Sequence, residues 1–86
     1  MILKYTHSFL VELQALDRGE QKKVLKALQK LARAEERNHL PLRGALHAYC
    51  KLRVGDCRAV YTIVEGELVF CTVQHRSVVY DWTPDE

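Results

Sequence analysis

Two tight turns, each between apolar strand-like runs, constrain what this chain can fold into. Gly55-Asp56 separates Ala48–Val54 from Cys57–Val64, and Glu65-Gly66 separates the latter from Glu67–Gln74. A two-residue connection joins antiparallel neighbours, whereas a parallel crossover needs about a dozen residues or more. The second half of the chain must therefore be an antiparallel meander. Upstream, Met1–Tyr5 reads as a short first strand. Thr6 or Ser8 can cap a helix with Phe9, Leu10, Leu13 and Leu16 at helical spacing. Asp17-Arg18-Gly19 interrupts it. Asp17 can cap a second helix, with Glu20 placed as a capping box requires and Val24, Ala27, Leu28 and Leu31 as an apolar stripe. Asn38 to Pro41 should end that helix, since proline disfavours helix at the residue before it. Leu42-Arg43-Gly44 then reads as a loop. The expected class is α+β in the order βααβββ, a helical hairpin packed on a mainly antiparallel four-stranded sheet, in one domain spanning residues 1–86.

Charge is unevenly placed. The chain has 13 Lys and Arg against 11 Asp and Glu, a net of only +2. From Arg37 to Tyr61, however, Arg37, Arg43, Lys51, Arg53 and Arg58 face Asp56 alone, while from Thr62 onward Arg76 faces Glu65, Glu67, Asp81, Asp85 and Glu86. A basic segment in a nearly neutral protein points to a local anionic ligand. Cys50, Cys57 and Cys71 lack CxxC spacing, so they indicate neither a disulfide framework nor a zinc site and read as small buried hydrophobes. No carboxylate cluster suited to Mg²⁺ stands out, and no metal or cofactor is expected. No signal peptide or membrane-length apolar run is read, so the expected setting is the cytoplasm, with no membrane partner.

Alternation along a strand puts Tyr49, Lys51 and Arg53 on one face and Ala48, Cys50, Leu52 and Val54 on the other, against the helices. Arg58 lies just across the Gly55-Asp56 turn and joins the cations if its side chain points the same way. Mutually repelling cations on one surface call for an anion, and phosphate suits them. The closing run Gln74-His75-Arg76-Ser77-Val78-Val79-Tyr80 adds a histidine able to move protons near neutral pH and a tyrosine able to stack on a base or donate a proton. His75 is otherwise a structural histidine and Tyr80 a core aromatic. His7, His39 and His47 read as surface or loop residues. Lys22, Lys26, Lys30 and Arg33 align on the outer side of the second helix, either as a solvated face or as a contact for a long polyanion. Trp82 either docks a partner or packs back on the sheet.

Leu42-Arg43-Gly44, the run from Lys51 to Tyr61 and the run from His75 to Tyr80 together resemble the RelE/ParE superfamily of bacterial toxin–antitoxin systems. The closing HR-x-x-x-Y pattern is similar to the RelE-like branch, whose members cleave mRNA in the ribosomal A site; ParE-like members inhibit DNA gyrase. The resemblance implies a catalytic Lys51, an Arg58 that contacts the scissile phosphate and a functional Tyr80. Tyr49 and Gln74 stand where the best-known members carry lysine and arginine, and Arg53, Arg76 and His75 are the residues that could compensate. The implied reaction is metal-free endoribonuclease cleavage, with the ribose 2′-OH attacking the adjacent phosphate. Lys51, Arg53 and Arg58 would stabilise the transition state, and His75, Tyr80 or Lys51 would move protons. Lys22, Lys26, Lys30, Arg33, Arg43 and Tyr49 complete the expected RNA-binding set, with the Lys22, Lys26 and Lys30 face on rRNA. The implied partners are a cognate antitoxin, in a hetero-oligomer with the toxin, and the ribosome with its mRNA. The alternatives are a gyrase inhibitor and an inactive antitoxin-binding module.

Overall fold

A computed structural model describes residues 2–33, 40–41, 48–77 and 82. Strand β1, Leu3–Tyr5, leads into helix α1, His7–Ala15, and then helix α2, Arg18–Arg33. Strand β2 is the pair Leu40–Pro41; β3 is Cys50–Val54, β4 Cys57–Val64 and β5 Glu67–His75. The sheet order is β1-β5-β4-β3-β2. The β3–β4–β5 meander is antiparallel throughout, and β1 pairs parallel with β5. The four expected strands are thus joined by a fifth. Two residues are too few to show alternation, and Pro41, which has no N–H to donate, suits this sheet edge. The helix end expected around Asn38 and the Leu42-Arg43-Gly44 loop lie outside the described residues.

Local chemistry explains the boundaries. Thr6 is the N-cap of α1, its hydroxyl accepting from the Phe9 amide at 3.2 Å. Asp17 caps α2, with Oδ1 accepting from the Glu20 amide at 2.8 Å. Between the helices Leu16 is extended, and Gln21 Nε2 donates to the Leu16 carbonyl at 2.7 Å, satisfying a carbonyl that α1 leaves open. The interruption is shorter than expected, because Arg18 and Gly19 already belong to α2. Both hairpin turns have two residues: Val54 pairs with Cys57 and Val64 with Glu67. Gly66 at φ 79° and Glu65 at φ 50° both occupy the left-handed region.

Phe9 and Leu13 of α1 and Val24 and Leu28 of α2 pack on Ala59, Tyr61, Leu68, Phe70 and Val73 of the sheet. Leu10, expected on the same stripe, is 42% exposed. It follows Phe9 directly, about 100° around the helix, so it turns off the buried side. Cys50, Leu52 and Val54 pack against this core, as alternation predicts. Cys57 is buried, while Cys50 and Cys71 are half-buried.

One irregularity decides what each face of β5 carries. Val60 pairs with Thr72 and Tyr61 with Phe70, so Cys71 has no partner on β4 and forms a bulge. The Cys71 carbonyl accepts from the Thr6 hydroxyl at 3.0 Å. Leu68 and Phe70 face the core before the bulge, and Val73 faces it afterwards. Thr72 and Gln74 therefore move to the opposite face.

Candidate functional site

The register brings the expected cations together on the sheet face away from the helices. Arg53 stands directly opposite Arg58, and Arg58 directly opposite Gln74, giving a cross-strand row across β3, β4 and β5. The neighbouring row is Lys51, Val60 and Thr72. Directly opposed side chains on one face have Cβ atoms about 5 Å apart, where like charges are unfavourable. Arg58 relieves this by folding back: its Nη1 donates to the carbonyls of Gly55 and Cys57, each at 2.8 Å. It is only 6% exposed, whereas Arg53 reaches solvent. One arginine is fixed by backbone and its neighbour is open to a ligand.

Tyr49 flanks these rows and is half-buried. The Trp82 ring meets it edge-on at 5.3 Å, so Trp82 packs back on the sheet. Just below, the Ala48 carbonyl accepts from the Thr62 hydroxyl at 3.1 Å.

His75 falls elsewhere. It pairs with Cys57, which pairs with Val54, and both of those residues face the helices. Unbroken alternation from Leu68 and Phe70 would have set His75 beside the cations; the Cys71 bulge reverses that parity. His75 Nδ1 accepts from the Ser77 amide at 3.1 Å and lies 2.8 Å from the Ser77 hydroxyl. In the neutral ring the proton is then on Nε2. Arg76 is exposed beyond β5, its amide donating to the Asp56 carbonyl at 2.8 Å. Tyr80 and Arg43 lie outside the described residues, as do His39 and His47.

Lys22, Lys26, Lys30 and Arg33 are all exposed on α2, on the side opposite buried Val24 and Leu28. This stripe points away from the sheet, so the molecule carries two basic surfaces on opposite sides. The recess of about 150 Å³ beside the β3–β4 turn belongs to neither, because Glu20, Lys23 and Asp56 line it with mixed charge. Among the described residues no three His, Cys, Asp or Glu side chains converge as a metal site would require.

Sequence reasoning missed Glu12. Its carboxylate accepts from the Thr72 hydroxyl at 2.6 Å and from Gln74 Nε2 at 2.7 Å. The one available signal was its place between Phe9 and Leu13, at the border of the buried stripe of α1.

A family model described as the ParE toxin of the type II toxin–antitoxin system parDE matches residues 3–80. The chain belongs to this toxin family. No individually curated protein matches it. Among solved structures, the RelBE2 toxin–antitoxin complex of Mycobacterium tuberculosis contains a chain that is 26% identical, with a TM-score of 0.76 over 88% of this chain and 91% of that one. The isolated RelE toxin of E. coli matches at 21% identity and a TM-score of 0.73, covering 93% of this chain and 90% of its own. A chain of the RelB–RelE complex of Methanococcus jannaschii gives 20% and 0.73, covering 94% and 99%. The fold of this ParE-family toxin is thus RelE-like, and the Arg53–Arg58–Gln74 row lies on the sheet face opposite the helical core, where Arg53 is exposed while Arg58, Val60 and Thr72 are buried.

Proposed function

We propose that this type II toxin is a ribosome-dependent endoribonuclease that stops translation by cutting mRNA in the cytoplasm. The observation that carries the reading is the grouping of Lys51, Arg53 and Arg58 on one sheet face, with Arg58 held rigid by the turn. Fixed cations stabilise the charge that develops when a ribose 2′-oxygen bonds to the adjacent phosphorus and the bond to the next nucleotide's 5′-oxygen breaks. The 2′-OH proton passes to a base and the leaving oxygen gains one. Lys51 is the candidate base on this face and Tyr80 the candidate acid. His75 is a weaker candidate, since its register partner Cys57 faces the helices. Cleavage needs a flexible strand held in line for attack. A ribosome supplies that alignment, and attack geometry is worth several kcal/mol. The Lys22, Lys26, Lys30 and Arg33 stripe, on the far side, is suited to rRNA. The solved RelE-like neighbours that are toxin–antitoxin complexes support a cognate antitoxin as partner.

Gyrase inhibition is the second reading, favoured by the ParE description of the matching family model. Primer extension on translating ribosomes separates the two. New cleavage ends that disappear with Arg53→Ala and Tyr80→Phe are expected. Intact mRNA together with blocked DNA supercoiling would establish the gyrase reading instead.

A further inference from the structure

Glu12 is half-buried on α1, and each of its carboxylate oxygens accepts from a different side chain of β5: Oε1 from the Thr72 hydroxyl at 2.6 Å and Oε2 from Gln74 Nε2 at 2.7 Å. β1 covers β5 only from Leu68 to Phe70. Beyond it the chain turns at Thr6 into α1, and Glu12 reaches past the edge of β5 to Thr72 and Gln74 on the face opposite the core. An ionised carboxylate only accepts, so it can hold the Gln74 amide by its NH₂ end alone. Gln74 Oε1 is thereby turned away from Glu12, in the row that contains Arg58 and Arg53.

This sets one fixed hydrogen-bond acceptor among cations. An amide oxygen repels phosphate oxygens and recognises donors. We infer that Gln74 reads a hydrogen-bond donor on the nucleotide whose phosphate rests on Arg53, beside Arg58, and that Glu12 is the positioning residue that sets its amide. On RNA the donor is a ribose 2′-hydroxyl, an exocyclic base amine or a ring imino N–H. The inference rests on the reading of this face as an RNA site.

Fluorescence anisotropy of the full-length chain with labelled oligo(U), oligo(C), oligo(dU) and oligo(dC) tests it at fixed low salt. Arg53→Ala, which removes a phosphate contact, should weaken all four. Gln74→Leu should weaken binding roughly three- to tenfold only where the donor is present. Loss confined to oligo(U) and oligo(C) identifies the ribose hydroxyl; loss confined to oligo(C) and oligo(dC) identifies the amine; loss confined to oligo(U) and oligo(dU) identifies the uracil imino N–H. Glu12→Ala should reproduce the Gln74→Leu pattern. Glu12→Gln should restore binding, because its amide oxygen can accept from Gln74 while its NH₂ donates to Thr72. A role that depends on the charge of Glu12 would not be rescued in this way. If Glu12→Ala does not fold, the Gln74→Leu and Glu12→Gln pair decides the matter. Uniform loss, no loss, or a Glu12→Gln variant as weak as Gln74→Leu overturns the inference. A parent chain that binds none of the four, or an Arg53→Ala variant that binds all as well as the parent, overturns the RNA-site reading and this inference with it.

Discussion

Arg53 and Arg58 differ by five positions and oppose each other across a turn, yet their surroundings give them different work. Arg58 is nearly buried and spends Nη1 on two backbone carbonyls, so it supports the fold as well as the site. Arg58→Ala should lower unfolding free energy by about 2 kcal/mol in urea titration, the usual worth of lost charged hydrogen bonds. Arg53→Ala, at an exposed position, should change stability by under about 0.5 kcal/mol. Cleavage lost with Arg53→Ala then reports on the site and not on folding. The thiols supply a second residue-scale prediction. Burial pushes all three above their ordinary 9.0, and at Cys57 the neighbouring Glu20 carboxylate adds to the shift. A raised folded-state pKa favours the protonated thiol. Its contribution to stability is therefore complete below about pH 9 and is lost as pH rises through the folded-state value. Iodoacetamide at pH 8 should alkylate the folded chain more slowly than the urea-unfolded chain, with Cys57 the slowest.

At the scale of elements, the join between α1 and the β5 bulge holds the site together. Thr6 caps α1 through Phe9 and binds the bulge carbonyl of Cys71, linking positions 65 residues apart. Thr6→Ala should cost about 1–2 kcal/mol in chemical denaturation, by loss of a cap and of a tertiary hydrogen bond, and Thr6→Ser should recover most of it. The β4–β5 turn offers the opposite effect. Glu65 sits at φ 50°, where a side chain is strained, so Glu65→Gly should raise the melting temperature, by up to about 1 kcal/mol of stability at the midpoint. The helices were the more legible elements in the sequence. Asp17 and Thr6 act as the caps their positions suggested, because caps depend on neighbours within one turn. Leu10 was misjudged because it follows Phe9 directly and turns off the side of α1 that Phe9 and Leu13 bury.

For the molecule as a whole, the helical hairpin divides two basic surfaces. The α2 stripe faces outward, and the sheet cations face the other way. Such an arrangement suits a protein held between two polyanionic walls. Under the proposed ribosome-dependent function, Lys22→Glu, Lys26→Glu and Lys30→Glu together should weaken ribosome binding and lower its dependence on log salt by about 0.7 per lost phosphate contact.

The sequence alone determined the meander, the helix caps and the alternation of β3, all of which depend on near neighbours. Two-residue turns required an antiparallel meander, and alternation placed Lys51 and Arg53 together on the face opposite Leu52 and Val54. Only the tertiary structure decided how distant segments meet. β1 joins β5 in parallel, Cys71 bulges out, and the parity of β5 reverses, so Gln74 rather than His75 stands beside Arg58. A one-residue shift in register leaves no trace in local patterning but exchanges the faces of a strand. For the same reason Glu12 was silent in the sequence, since its partners Thr72 and Gln74 lie 60 and 62 residues away.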